Sequence, residues 1–355
     1  MSINVEQLSK ALLITEKIEA LKGNQIKSEL NTEKIIQDWI SLKSLVSEEN
    51  FKQRLHFENI NENDFARAIE SINNEEHAAL IEFVKKSDWF SLFKEMVVNF
   101  KEMDENAQSR EDFTIDESFI VRLYSYYFGK LFHERIKNIT RFEISETIII
   151  KLLESLATKL YTLYSKVLIT ELQSYKASFE LEGEEGKEKF IYFLRKNFLK
   201  EEDLLEFYYR YPVLTRNAIV LTKNSIDFFV EALTHLNKEY DQLISIYHQN
   251  LHILSDIAVS AGDTHEKGKT VLIFEFDNNV KVIYKPRDLR IVLAYNDFLK
   301  WINQNSGLLE MESTKGIYRE NYALEKFIKD NECLSEKEVI NYYQRFGVDH
   351  QIKCT

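Results

Sequence analysis

Between Gly262 and Arg287 the chain gathers residue types suited to holding phosphate. The run from Ala261 to Leu289 reads AGDTHEKGKTVLIFEFDNNVKVIYKPRDL. Gly262-Asp263-Thr264-His265 places a carboxylate and an imidazole two residues apart in a turn, and Gly268 adds a second flexible point. Such a turn brings backbone N–H groups and side chains against phosphate oxygens, and a lysine on a neighbouring strand reaches the same oxygens as a point charge. Lys285 stands at such a place, closing an apolar run just before Pro286 and Arg287. Taken singly, each piece also has an ordinary reading. Gly-Asp-x-His makes surface turns in which the aspartate bonds its own backbone, and strand lysines are commonly solvated. The glycine spacing is neither a Walker motif nor the glycine loop of protein kinases.

The elements that must position these residues follow from pattern. Residues 270–276 are apolar on both faces and predict a buried strand. Asp277-Asn278-Asn279 supplies a hairpin turn, and 280–284 returns as a second strand. Pro286 ends that strand, and Asp288 is placed to cap a helix through Val292, Tyr295, Leu299 and Ile302. Upstream the periodicity is helical. Helices are expected over 5–22 and 33–47, the latter capped by Asn31 or Thr32, and in shorter pieces over 62–101. Trp39 and Trp89 are expected to anchor their packing. Residues 101–116 read as a loop and 117–137 as a ring-rich core helix. A long helix is expected over 145–178, with Ile149, Leu153, Leu156, Leu160, Leu163 and Val167 on one face. Residues 182–186 read as a loop. Short helices follow over 187–199, 201–209 and 214–221, interrupted at Pro212. Ser225 then caps a helix that runs to Gln249.

Composition bounds the function. The 355 residues carry a formal charge of −12, only two prolines and nine glycines, which suits long helices and argues against bulk electrostatic binding of nucleic acid. Nearly all the net negative charge precedes residue 262, and glycine is sparse before that point. Cys333 and Cys354 fit a reducing cytoplasm rather than a disulfide framework or a zinc site. Neither a signal peptide nor a membrane span is expected.

GDTHEKGK, the apolar strand, the hairpin and VIYKPR together resemble the dehydratase domain of class II lanthipeptide synthetases, the enzymes of lantibiotic biosynthesis. Phe207 to Arg216, Tyr318 to Ile328, and Ser335 to Phe346 with its Ser335…Glu338 capping box and Gly347 stop match in the same order. The resemblance implies an α+β, mainly α protein. A helical region over 1–249 would precede incomplete lipid-kinase-like N-lobe elements over 250–347, with a small antiparallel sheet and a short tail at 348–355. It implies ATP/ADP and Mg²⁺ as cofactors, no zinc in this chain, and a ribosomal precursor peptide with its leader as substrate. The peptide's Ser and Thr would be phosphorylated and then relieved of phosphate. Asp263, His265 and Lys285 would be catalytic, and Gly262, Gly268, Lys285 and Arg287 would hold the cofactor. The family's Asp-x-His-x-x-Asn loop, its later metal-binding Asp and its zinc cyclase are not found before Thr355, so a second chain carrying the C-lobe and cyclase is an expected partner. Three readings stay open: the N-terminal part of a dehydratase, a noncatalytic module binding leader peptide or nucleotide, and a helical interaction protein.

Overall fold

A computed structural model describes residues 3–22, 31–41, 47–70, 73–107, 119–198, 201–259, 266–306, 310–329 and 332–344. It is an α+β fold, mainly α, with one six-stranded mixed sheet. Helices α1 (Val5–Ser9), α2 (Ile14–Leu21), α3 (Thr32–Ser41), α4 (Glu48–Phe57), α5 (Glu62–Ile69), α6 (Asn74–Lys86) and α7 (Asp88–Ala107) come first. Then follow α8 (Phe119–Ile136), α9 (Glu146–Ser178), α10 (Gly186–Phe198), α11 (Glu201–Arg210), α12 (Pro212–Lys238) and α13 (Tyr240–Tyr247). The chain divides into two compact units. One comprises Met1–Tyr127 with Leu160–Val220, the other Phe128–Lys159 with Leu221–Thr355.

In the first unit, Ile36, Phe51, Leu55 and Phe65 form a buried cluster, and Trp39 packs on it with ring contacts of 5.3 Å to Phe51 and Phe65. Trp89 is also buried, as expected. The single helix expected over 5–22 is two. Leu13 turns extended, and Glu16 accepts its N–H at 2.8 Å, which starts α2 afresh without a proline or glycine to signal it. Arg216 holds that same carboxylate through both terminal nitrogens, at 2.5 and 2.7 Å. The loop expected over 101–116 is helix at its start, because α7 continues to Ala107, and residues 108–116 lie outside the described residues.

The break expected at Pro212 is present: α11 ends at Arg210 and α12 opens on Pro212, at the first helical position, where its missing N–H costs nothing. A further expectation changes. Ser225 caps no helix, because it is buried inside α12. The buried stripe of α9 is Ile148, Leu152, Leu156, Leu160, Tyr164 and Leu168. It steps by four throughout, and Ile149, Leu153, Leu163 and Val167 lie beside it, half-buried.

The second unit carries the sheet. Its strands are β1 (Glu143–Ile144), β2 (Ile253–Val259), β3 (Leu272–Phe276), β4 (Lys281–Lys285), β5 (Gly316–Tyr318) and β6 (Ala323–Lys326), in the order β1-β2-β3-β4-β6-β5. β1 pairs with β2 in parallel and every other pair is antiparallel, so the sheet is larger and more mixed than the small antiparallel one expected. The hairpin forms as its residues require: Asn279 takes φ +61 and donates to Phe276 O at 2.9 Å. Phe274, Phe276, Val282, Tyr284 and Leu324 are buried, and Tyr284 meets Phe228 of α12 at 6.2 Å between ring centroids. Replacing Phe274 by Ala is expected to cost about 3–5 kcal/mol in urea unfolding. A loss under about 1 kcal/mol would show that this face is not the core of the unit.

Candidate functional site

Strand direction brings Lys285 and the entry to β3 to one end of the sheet. β2 ends there at Val259, β3 begins at Leu272, β4 ends at Lys285, and the turn from Tyr318 to Ala323 joins β5 to β6. Gly262, Asp263 and His265 belong to the link between β2 and β3 and lie outside the described residues. The end of that link is described: Lys267 and Gly268 take φ of +55 and +80, so the chain enters β3 through two left-handed residues. Glycine meets that requirement without strain, and Lys267 does not.

Lys285 is placed by alternation. Tyr284 points to α12, with its hydroxyl 3.0 Å from His235 Nδ1, so Lys285 faces the other side of the sheet. There its amine is ion-paired with Glu325 of β6, with the lysine side chain 27% exposed and the carboxylate 9%. Tyr318 lies on the same face and shares a 3.0 Å hydrogen bond with Thr314 Oγ1. Burial first, and the Glu325 carboxylate beside it, push the Tyr318 phenol up. Thr314 O in turn accepts from Asn296 Nδ2 at 2.9 Å, which ties this face to α14 (Ile291–Asn305). Asp288 does not cap α14. Arg290 is the cap residue, and Asp288 accepts instead from the Arg290 backbone at 2.9 Å and from its guanidinium at 2.7 Å.

Arg287 goes elsewhere. A strand would return it to the face of Lys285, but Pro286 ends β4 and Arg287 N–H folds back onto Lys285 O at 2.9 Å, a tight turn that redirects the chain. Arg287 thereby lines a cleft of about 480 Å³ on the α12 side, with Glu231, Lys269, Glu320 and Asn321. Lys269 is held by both oxygens of Glu231, at 3.0 and 2.7 Å. No ion pair to Arg287 is found among the described residues, which leaves its five donors available.

A polar network lies beneath. His235 stacks on Tyr322 at 3.7 Å and 10°. Tyr322 donates to Glu239 at 2.8 Å, and Arg319 grips the same carboxylate at 2.9 and 2.7 Å. Burial raises the Glu239 carboxyl, but the bonds from Arg319 and Tyr322 outweigh it and the net displacement is downward. The Tyr322 phenol is pushed up to about 12, chiefly by burial and then by Glu239. Burial, reinforced by Lys238 and Lys269 and opposed by Glu231, holds His235 below the usual imidazole range.

Sequence reading missed Glu325, Glu231, Lys269 and Glu239. Their partners lie 38 to 83 residues away, and no local motif flags them. Among the described residues, no group of three or more His, Cys, Asp or Glu is arranged to hold a metal ion. No helix among them is long and apolar enough to cross a membrane.

Comparison with known proteins adds two findings. Residues 211–352 match the family described as Domain of unknown function (DUF4135). Over 198 residues the chain is 25% identical to the lacticin 481/lactococcin biosynthesis protein LcnDR2 of Lactococcus lactis subsp. lactis. That match covers 52% of this chain but only 20% of the relative's length.

The depressed imidazole has a consequence for stability. The folded state favours neutral His235, so this contribution is complete above about pH 6.5, where an unfolded histidine is neutral, and is lost as pH falls below that value. The urea midpoint is expected to drop between about pH 7.5 and about pH 5.5, and His235→Phe, which keeps a ring against Tyr322, is expected to reduce that slope. An unchanged slope in the variant would assign the effect to other histidines.

Proposed function

We propose that this chain is part of a lantibiotic-biosynthesis enzyme, the N-terminal part of a class II lanthipeptide dehydratase that acts on Ser and Thr of a precursor peptide. The observation that carries the reading is a coincidence of three things. The family match at 211–352 takes in strands β2 to β6, the similarity is to a lacticin 481/lactococcin biosynthesis protein, and the sheet end gathers Lys285, Arg287 and the left-handed turn at Gly268. None of these alone would separate a dehydratase from a helical interaction protein.

The residues present fit the phosphates of a nucleotide. Lys285 offers an ammonium on one face, Arg287 on the other a guanidinium with no ion pair among the described residues, and Gly268 a left-handed backbone at the entry to β3. ATP, when bound, supplies the phosphoryl group. Lys285 then places positive charge where phosphate oxygens gather it, the part of phosphoryl transfer that depends on positioning. Arg287 adds a planar donor set that a lysine cannot reproduce. Asp263 and His265 position phosphate or act on the proton lost during elimination. The resemblance assigns the general base and Mg²⁺ ligands to a C-lobe, so the turnover assay includes that portion of a related synthetase.

The chain is expected to bind ATP with Mg²⁺ in a calorimetric titration, and Lys285→Ala to weaken binding at least about tenfold. Combined with the portion carrying the base and a lacticin-type precursor, it is expected to remove water from Ser and Thr, read as mass loss. Unchanged ATP binding in Lys285→Ala would overturn the site assignment. A reconstituted mixture that leaves the peptide mass intact would overturn the dehydratase reading.

A further inference from the structure

We infer that Glu325 is a positioning residue for Lys285: its buried carboxylate on the neighbouring strand fixes where the lysine amine stands at the sheet end. The inference rests on the reading that Lys285 serves a phosphate ligand.

Lysine is a compact charge on a flexible four-carbon stem, so strand register alone does not locate its amine. Among the described residues, this face of the sheet carries three lysine–carboxylate pairs, and they differ in burial. Lys151 and Asp256 are each 40% exposed, and Lys281 and Glu275 are 38% and 28% exposed. In the third, Lys285 is 27% and Glu325 only 9% exposed. Exposed pairs hold geometry weakly because solvent screens them and both chains are free to move, whereas a carboxylate with little access to water keeps its partner.

Glu325 is itself held. It sits opposite Ile283, one step diagonal from Lys285, on the strand that pairs with β4. Gly316 lies opposite it on β5, and a Cβ there would meet Leu324 O at 2.7 Å and Glu325 Cγ at 3.1 Å, so the glycine makes room for this strand and side chain. Beside it stands the Tyr318 phenol, whose bond to Thr314 leads to Asn296 of α14. The amine is therefore placed by a chain of contacts that runs from β4 through β6 and β5 to α14. The carboxylate that pairs with the strand lysine comes from the sheet itself, and the buried polar residue that α14 contributes is an amide. An ammonium has three donors, and Glu325 occupies one side of it, leaving the others directed away from β6 for an incoming anion.

The test uses the full chain, ATP with Mg²⁺, and the variants Lys285→Ala, Glu325→Gln and Glu325→Asp. Glu325→Gln keeps shape and removes charge. It is expected to weaken ATP binding about tenfold with little change in Tm, and Glu325→Asp to recover part of that loss. Amine footprinting by reductive methylation gives a second readout independent of nucleotide. Lys285 is expected to be labelled several-fold faster in Glu325→Gln than in the parent. If Glu325→Gln fails to fold, Glu325→Asp carries both measurements, with intermediate binding and labelling expected. Lys285→Ala losing ATP while the Glu325 variants bind and label like the parent would overturn the positioning role and leave the nucleotide reading standing. A parent that binds no ATP, or Lys285→Ala binding as well as the parent, would overturn both. A lower Tm with unchanged affinity and labelling would make Glu325 a structural ion pair and also defeats the inference.

Discussion

The orientation of the sheet end depends on Tyr284. It is fully buried, with Phe228, Phe274 and Tyr322 around its ring and His235 against its hydroxyl. Burial, with Glu231 second, drives its phenol far above the ordinary range, so it stays a neutral hydroxyl. A strand alternates strictly, and Tyr284 inward means Lys285 outward. A slip of one residue would drive the ammonium among phenyl rings and leave a phenol in solvent, and an unpaired charge in such a place costs far more than the slip could return. One tyrosine thus selects the register that puts Lys285 beside Glu325.

The elements around the cleft are fixed by carboxylates paired across long stretches of sequence. Glu231 of α12 holds Lys269 at the entry to β3, and Glu239, just past the end of α12, holds Arg319 and Tyr322 in the β5–β6 turn. Glu239 is almost fully buried, and its desolvation is offset by three hydrogen bonds. Such a site tolerates loss of a partner badly, because the remaining carboxylate would be left unpaired. The pairs therefore hold the strand ends in place more than they add net stability. Arg287, by contrast, is pinned through its backbone, and among the described residues its guanidinium has no ion pair.

The sequence disclosed the parts of the fold that depend on near neighbours. β3, β4 and the Asn279 turn were legible because alternation and a left-handed residue are local signals. The capping box of Ser335 and Glu338 was legible for the same reason, and it forms with bonds of 3.1 and 3.3 Å. β2 was not, because its pairing with β3 shifts register between Leu254 and Asp256 and breaks the period of two. The split of α1 from α2 was hidden too, since its cause is Glu16 held from Arg216, two hundred residues away. Lys285 and Arg287 could be singled out by type and order. That Pro286 turns them to different sides of the sheet, and that Glu325 waits on one of those sides, belongs to pairings 40 residues apart that no window on the sequence contains.

That separation constrains how the end of the sheet can engage a ligand. Lys285 and Glu325 stand on the face away from α12, and Arg287 lines the cleft on the α12 side. A ligand held by both cations must straddle the end of β4 at Pro286. Each cation is also governed differently: Lys285 is placed by a side-chain pair, Arg287 by a backbone turn. Loss of Glu325 would therefore release the amine without moving the guanidinium, so the two contacts can be weakened one at a time. The alternation of a single strand, stopped by one proline, is enough to build that division.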